Sequence, residues 1–271
     1  MLRRTLVPHL AGETVERVEV RAVGLREPLD AAALERDAAG RRILGLRRRA
    51  KYLLIDLEGG TTLVVHLGMS GRLTVRSPGD AAPLPHEHVV VHLASGRRLS
   101  FRDPRRFGQL FTLPTADLEG ERRFRHLGVE PLPRPGSEGL GGGHLRRAAR
   151  GRRGPVKPFL MDAGVVVGVG NIYASEALFE AGIHPKRSVS RISAARWQRL
   201  AEAVQHVLAR AIEQGGTTLN DFQDAEGNAG YFQVSLAVYD REGEPCLRCG
   251  TSIRRLTQAG RGTYYCPGCQ T

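Results

Sequence analysis

The sequence predicts an α+β protein with three successive parts: a β-rich N-terminal half, a helical segment and a small C-terminal appendage. Three observations lead to this fold class. Apolar and polar residues alternate with period two in several segments before residue 130, as expected of strands with one buried face. After a stretch rich in proline and glycine at 133–143, the apolar spacing becomes helical. All four cysteines lie between residues 246 and 271, so they form a local structural device.

Composition restricts the class of protein. With 271 residues and 41% hydrophobic side chains, the chain can bury a sizeable core, which excludes a disordered tail. The formal net charge of +12 and the pI near 10.4 indicate a polyanionic partner, and nucleic acid is the first candidate. No apolar run approaches the roughly 18 residues of a membrane-spanning helix, and no signal-type stretch follows the first residues. We therefore expect a soluble, cytoplasmic protein without a membrane partner.

The N-terminal half contains the strand-like segments. The period of two is clearest at residues 17–23, and residues 51–57 follow it in part. Residues 61–67 come directly after a Gly-Gly turn, and segments at 89–93 and 99–101 flank a Ser-Gly turn as in a hairpin. Strands that follow one another in this way predict an antiparallel sandwich or barrel.

The helical part follows a predicted linker at 133–143, where proline and glycine occur without periodicity. One helix is predicted from about residue 171 to 181, with Gly182 as its terminator. Ser193 is positioned to cap a second helix, which the glycines at 215–216 would stop. The apolar face of that helix is formed by Trp197, Leu200, Ala201, Val204, Val207, Leu208, Ala211 and Ile212.

The four cysteines occur as two Cys-x2-Cys pairs. Cys246 and Cys249 are separated from Cys266 and Cys269 by residues 250–265, enough chain for a β-hairpin. This spacing predicts one structural zinc ion with four thiolate ligands, which leaves no open position for water or substrate. The alternatives, two disulfides or four free thiols, are disfavoured in a cytoplasmic chain with such regular pairing. Phosphate contact is indicated for the arginines of the hairpin, Arg254, Arg255 and Arg261.

Two runs of basic residues are candidates for contact with DNA. Residues 146–157 contain five arginines and Lys157 without an acidic residue, and residues 47–51 contain three arginines and Lys51. Either run alone is explained equally well by a solvated face or a disordered connector. Both together, in a protein of net charge +12, favour DNA.

Three short loops carry residue types that can serve DNA binding. Val-Gly-Val-Gly-Asn at 167–171 leads into a predicted helix and is either a phosphate-binding turn or a plain turn. Asp-Pro-Arg-Arg-Phe-Gly at 103–108 is either a loop that inserts side chains into a base stack or a salt-bridged turn. His-Leu-Gly-Met-Ser-Gly at 66–71 also has two interpretations. Met69 either inserts into a base stack or, as is usual for methionine, fills the core.

Taken together and in this order, these segments resemble the formamidopyrimidine-DNA glycosylases over essentially the whole chain. The resemblance rests on Lys-Tyr-Leu at 51–53, the loops at 66–71 and 103–108, Val-Gly-Val-Gly-Asn-Ile-Tyr-Ala-Ser-Glu at 167–176, Gln-Gly-Gly-Thr-Thr-Leu at 214–219 and the cysteine ribbon. It implies an N-terminal antiparallel β-sandwich, a helix-two-turns-helix domain and a C-terminal four-cysteine zinc ribbon. The implied activity is excision of oxidised purines, such as 8-oxoguanine and formamidopyrimidines, followed by β,δ-elimination at the abasic site.

The resemblance also implies roles for single residues. A base must be flipped out of the stack before it is attacked, and Met69, Arg105 and Phe107 match the side chains that fill the gap. DNA contact is implied for His86, Arg105 and Arg153, and phosphate binding beside the lesion for Lys157 and Asn171. Two residues have implied chemical roles: Lys51 in proton donation during β-elimination and Arg261 in δ-elimination. A phosphate clamp is an equally physical role for Arg261, because its guanidinium cannot deprotonate. Residues 217–231 correspond to the loop that covers the flipped base.

One segment of the family pattern is not in this sequence. Family members begin Pro-Glu-Leu-Pro-Glu-Val, with the proline amine as nucleophile at the sugar C1′ and the glutamate as general acid/base. Such an amine has a pKa near 8, against about 10.4 for lysine, and is therefore more often neutral at pH 7. The sequence begins Met1-Leu2-Arg3-Arg4, which matches the middle of the family's first helix. We expect the true start to lie upstream; the alternative is a damaged-DNA-binding protein that does not cleave.

The resulting domain prediction has four parts: a β-sandwich at 1–132, a linker at 133–143, a helix-two-turns-helix domain at 144–235 and a zinc ribbon at 236–271. The predicted partner is double-stranded DNA that contains oxidised bases or abasic sites, bound by a monomer. A related alternative is the preference of the endonuclease VIII branch for oxidised pyrimidines. The segments at 215–219 and 230–232 look more like the purine branch.

Overall fold

The computed structural model describes residues 2–80, 82–134, 136–214 and 236–271. Within these ranges the chain forms two compact units. The first comprises the described residues up to Arg125, and the second comprises those from His126 onward. The finer division at 132, 143 and 235 stays a prediction.

The first unit is a sandwich of two four-stranded antiparallel sheets. Its elements in chain order are α1 (Leu2–Leu10), β1 (Val15–Val20), α2 (Ala31–Ala38), β2 (Ile43–Arg49), β3 (Tyr52–Leu57), β4 (Thr61–His66), β5 (Arg72–Arg76), β6 (Glu87–Leu93), β7 (Arg98–Arg102) and β8 (Gln109–Pro114). One sheet has the order β1-β6-β7-β5 and the other β2-β3-β4-β8. Ile55 and Val65 of the second sheet share a buried cluster with Val89 and Leu99 of the first. The predicted sandwich is therefore confirmed, and the barrel alternative is not.

The strand predictions were close in position, and the main differences have local causes. The segment expected at 17–23 forms β1 two residues earlier and ends at Val20, because the Val23 carbonyl turns to accept from the amides of Leu25 and Leu29. Helix α2 was not predicted. Its N-cap is Asp30, whose carboxylate accepts from the Ala33 amide at 2.9 Å.

The second unit contains four helices and a hairpin in its described part. They are α3 (Gly142–Ala148), α4 (Val156–Leu160), α5 (Asn171–Glu180), α6 (Ala194–Glu213), β9 (Arg254–Gln258) and β10 (Arg261–Tyr265). Trp197, Leu200 and Val204 of α6 are buried against Leu178 of α5 and Leu160 of α4. None of the helices in the described ranges has the length and apolar character needed to span a bilayer.

The predicted long helices are confirmed with their caps. Ser193 accepts from the Arg196 amide at the start of α6, and Gly182 adopts a left-handed φ of 67° after α5. Helix α6 ends at Glu213. The predicted stop at 215–216 and the predicted covering loop at 217–231 lie outside the described residues.

Candidate nucleic-acid interface

In the first unit, the three side chains matched to gap filling lie on two loops that are bonded to each other. Met69 follows β4, and Arg105 and Phe107 follow β7. The Ser70 hydroxyl donates to Asp103 Oδ1 at 2.5 Å and accepts from the Arg105 amide at 3.3 Å. Met69 is 65% exposed and Phe107 47% exposed, so Met69 does not fill the core. Exposed apolar side chains beside a guanidinium are suited to enter a base stack.

His86 adjoins the second of these loops. It lies immediately before β6, is exposed, and has a left-handed φ of 61°. Its carbonyl accepts from the Asp103 amide at 3.1 Å. The structure thus places four of the predicted DNA-contacting residues, His86, Met69, Arg105 and Phe107, on connected loops of one unit.

Lys51 is exposed in the turn between β2 and β3, near His66 at the end of β4. Burial, reinforced by the positive charges of Lys51 and Arg26, lowers the pKa of His66 to about 4. His66 is therefore neutral at pH 7, and its Nδ1 accepts from the Gly68 amide at 3.0 Å. A neutral imidazole adds no repulsion to the ammonium group of Lys51.

In the second unit, three predicted site residues lie together. Lys157 is only 1% exposed, and its Nζ donates to Asn171 Oδ1 at 2.6 Å. The same ammonium donates to Thr263 Oγ1 at 2.7 Å and to the Gly262 carbonyl at 3.2 Å. Burial, reinforced by the positive charge of Arg261, lowers the pKa of Lys157 to about 8. Lys157 and Asn171 thus contact the start of β10, where Arg261 is the first residue.

Asn171 is the first residue of α5, after the N-cap Gly170. Its amide nitrogen donates to the Gly262 carbonyl at 2.9 Å and to the Tyr239 hydroxyl at 3.3 Å. The N-terminus of a helix favours anions, because its first amides lack partners within the helix. Arg153 lies in the exposed turn before α4, and its carbonyl accepts from the Ser188 hydroxyl at 2.8 Å.

The basic run at 146–157 is ordered and has two environments. Its five arginines are exposed, on α3 and in the following turn, where Arg152 pairs with Asp162 at 2.9 Å. Lys157, in contrast, is buried. The alternative of a disordered connector is wrong for this run, and a solvated face does not describe Lys157.

The four cysteines fit a tetrahedral zinc ion. Their sulfur atoms all lie within 4.8 Å of one another. Cys249 Sγ lies 3.4 Å from Cys269 Sγ and 3.5 Å from Cys266 Sγ, and Cys246 Sγ lies 3.8 Å from Cys269 Sγ. A zinc–sulfur distance of about 2.3 Å in a tetrahedron requires sulfur atoms about 3.8 Å apart. The pairs flank the hairpin of β9 and β10, as the spacing predicted. Zinc at this site is structural, because four thiolates fill its coordination sphere.

Several residues around these groups were not singled out from the sequence. Thr263 and Tyr239 contact Lys157 and Asn171, and Ser70 and Asp103 join the two loops of the first unit. Asp103 and Ser70 lie inside the loop motifs at 103–108 and 66–71, which was the available signal. Thr263 and Tyr239 give no such signal, because their contacts depend on tertiary packing.

Comparison with known proteins agrees with this architecture along the chain. Residues 1–110 match the family model of the formamidopyrimidine-DNA glycosylase N-terminal domain, and residues 127–223 match that of its H2TH domain. Residues 243–271 match the zinc finger found in FPG and IleRS. This match and the sulfur geometry confirm the predicted structural zinc.

Similar proteins and solved structures carry the same family name. The formamidopyrimidine-DNA glycosylase of Halorhodospira halophila is 51% identical, and the alignment covers 99% of this chain and 96% of the relative. That of Ruegeria pomeroyi is 45% identical with the same coverage. The crystal structure of MutM (FPG) from Thermus thermophilus is 41% identical with a TM-score of 0.85, covering 99% of this chain and 96% of that chain.

Structures with DNA are also similar. A complex between the Lactococcus lactis Fpg and an abasic site containing DNA has a TM-score of 0.88 at 30% identity, and the match covers 100% of this chain and 97% of that chain. Three consecutive domain matches, relatives near 50% identity along nearly the whole chain, and a fold with the expected zinc ribbon lead to one conclusion. The chain belongs to the formamidopyrimidine-DNA glycosylase family.

Proposed function

We propose that the protein acts in base-excision repair as a DNA glycosylase and abasic-site lyase for oxidised purines in double-stranded DNA. Relatives that cover nearly the whole chain are named formamidopyrimidine-DNA glycosylases, and the similar solved complexes contain abasic-site or formamidopyrimidine DNA. The net charge of +12 supports a polyanionic partner. DNA binding would also associate the protein with the nucleoid of the bacterial cytoplasm.

The observation that carries this proposal is the pair of joined loops in the first unit. Met69, Arg105 and Phe107 lie on these loops, and both apolar side chains are exposed. Exposing such side chains to water is unfavourable, and inserting them into a base stack removes them from it. A flipped nucleotide leaves a gap of this kind, which these side chains would fill.

Phosphate binding is assigned to Lys157 and Asn171 of the second unit. The three donors of Lys157 Nζ already meet three acceptors, Asn171 Oδ1, Thr263 Oγ1 and the Gly262 carbonyl. A phosphate oxygen would therefore replace one of these neutral acceptors. The bond to a phosphate oxygen would be charge-assisted and would join opposite charges at short range.

In the family pattern a proline amine is the nucleophile at C1′, and residues of this chain are assigned to the steps that follow its attack. Lys51 is assigned to proton donation during elimination, and Arg261 to δ-elimination or to holding the phosphate that leaves. His86 and Arg153 are assigned to contact with the intact parts of the duplex. Zinc supplies shape only, by holding the hairpin that carries Arg261.

The activity test uses protein that begins with the family's Pro-Glu segment joined ahead of Leu2. A duplex with a single 8-oxoguanine should be nicked, and borohydride should trap a covalent protein–DNA adduct, because only a Schiff base is reduced to a permanent link. Lys51→Ala should slow nicking more than it weakens binding of an abasic analogue. Lys51→Arg, which keeps the positive charge, is the matched control.

The outcomes separate the candidate functions. Nicking and trapping with 8-oxoguanine support the proposal. Preference for oxidised pyrimidines would replace it with the endonuclease VIII-like function. Tight binding to abasic DNA without any trapped adduct would indicate a damaged-DNA-binding protein.

A further inference from the structure

The two loops that carry the gap-filling side chains share one buried carboxylate. Asp103 follows β7 and is 0% exposed. Its Oδ2 accepts from the Gly108 amide at 2.7 Å, which closes its own loop. Its Oδ1 accepts from the Ser70 hydroxyl at 2.5 Å, which joins it to the other loop. One carboxylate therefore closes the loop at 103–108 and joins it to the loop at 66–71.

Ser70 completes this connection from the opposite loop. Its hydroxyl donates to Asp103 and at the same time accepts from the Arg105 amide at 3.3 Å. Ser70 directly follows Met69, and Arg105 is two residues before Phe107. The hydroxyl therefore belongs to the residue next to Met69 and bonds to the backbone of the loop that carries Arg105 and Phe107.

The backbones of the two loops pack closely against each other. A Cβ on Gly68 would lie 2.6 Å from the carbonyl carbon of Phe107, and Gly68 has a left-handed φ of 66°. A Cβ on Gly108 would lie 2.6 Å from the ring of Phe101. Backbone groups of Asp103 also bind the His86 carbonyl at 3.1 Å and the buried His88 Nε2 at 2.8 Å. The loops are therefore anchored to the sheet below them.

We propose that Asp103 and Ser70 are positioning residues that turn the two loops into one preorganised wedge for the gap left by a flipped nucleotide. This inference rests on the function proposed above. Side chains that are held in place before binding lose less conformational freedom when they insert. Loss of the connection should therefore reduce selectivity for damaged DNA, while contacts with phosphates are unaffected.

The test compares binding of the full chain to a duplex with a tetrahydrofuran abasic analogue and to the same duplex without it. Ser70→Ala removes the shared hydroxyl, and we expect the ratio of the two affinities to fall about fivefold, the effect of one to two hydrogen bonds. Asp103→Ala should lower the ratio about tenfold or more. Two conservative variants should restore most of it. Ser70→Thr keeps the hydroxyl, and Asp103→Asn keeps an acceptor for Gly108 and a donor for Ser70.

A second measurement reports insertion directly. A 2-aminopurine placed opposite the analogue brightens when the wedge unstacks it, and this change should be smaller for Ser70→Ala at saturating protein. The slope of log affinity against log salt should stay as in the wild type, because no phosphate contact is lost.

Thr62→Val is the matched control for general loss of stability. Thr62 is buried, and its hydroxyl bridges a carboxylate and a second group as that of Ser70 does, with Asp56 Oδ1 at 2.9 Å and Thr115 Oγ1 at 2.9 Å, away from the loops. Thr62→Val should lower the melting temperature and leave the ratio of the two affinities unchanged. An unchanged ratio in Ser70→Ala, or an equal fall in Thr62→Val, would overturn the inference alone. A wild-type protein without preference for the abasic analogue would overturn the proposed function as well.

Discussion

Affinity for damaged DNA should depend on pH through Lys157. This side chain is buried beside Arg261, and its pKa is lowered to about 8 from the ordinary value of 10.5. Only the ammonium form attracts a phosphate, and a bound phosphate stabilises that form. At a pKa of about 8, the protonated fraction falls from about 91% at pH 7 to about 9% at pH 9. The affinity that depends on Lys157 should therefore fall about tenfold between these values.

The assay is fluorescence anisotropy with an abasic-analogue duplex at pH 7, 8 and 9 and constant ionic strength. Lys157→Met keeps the length of the side chain without a charge and serves as reference. The ratio of wild-type to variant affinity should fall about tenfold over this range, since groups that titrate in both proteins, such as the terminal amine, cancel. A ratio that stays constant from pH 7 to pH 9 would refute the assignment of Lys157 as a titrating phosphate ligand.

Deprotonation of Lys157 should weaken DNA binding but stabilise the folded protein. Between pH 8 and 10.5 the unfolded chain holds a proton on Lys157 that the folded chain has released, so folding becomes more favourable as pH rises through this window. Relative to Lys157→Met, the melting temperature of the free wild-type protein should therefore increase from pH 8 to pH 10. A decrease would show that the folded protein prefers the charged form.

Three further measurements test the other assignments. Elemental analysis should find one zinc per chain, and Cys246→Ser should lower both the zinc content and the melting temperature, because a structural zinc site contributes directly to folding; a metal-free variant with an unchanged melting temperature would contradict this. Arg153→Ala should reduce the slope of log affinity against log salt by about 0.9 if it contacts one phosphate. Phe107→Ala should leave that slope unchanged and lower the preference for the abasic analogue; equal slopes for both variants would contradict the division of roles.

Elements with a strong local signal were predictable from the sequence. Helix α6 combines a serine cap with a continuous apolar face, and the zinc hairpin lies between two cysteine pairs of diagnostic spacing. Helices α2, α3 and α4 were not predicted. They have five to eight residues, and helices so short are stabilised by packing against the rest of the fold and not by their own sequence.

The order of the strands in the sheets could not be predicted from local sequence patterns. In the first unit β1 pairs with β6, and β5 pairs with β7, so some neighbouring strands are far apart or not consecutive in the chain. Periodicity identifies a strand and its buried face but not its partner. The hydrogen bond between Ser70 and Asp103 joins residues 33 positions apart and depends on that order, because β5 and β7 bring the two loops together.

The burial of Lys157 could not be predicted from the composition of its segment. In the sequence it ends a run of arginines, and all six cations appear equivalent as phosphate ligands. In the structure Arg153 is exposed, whereas Lys157 is buried by contacts with Thr263 and Gly262, more than a hundred residues away. An exposed guanidinium stays charged at every accessible pH and contributes through counterion release, so its effect follows salt. A buried ammonium with a lowered pKa follows pH as well. Salt and pH therefore separate the contributions of two cations that the sequence places only four positions apart.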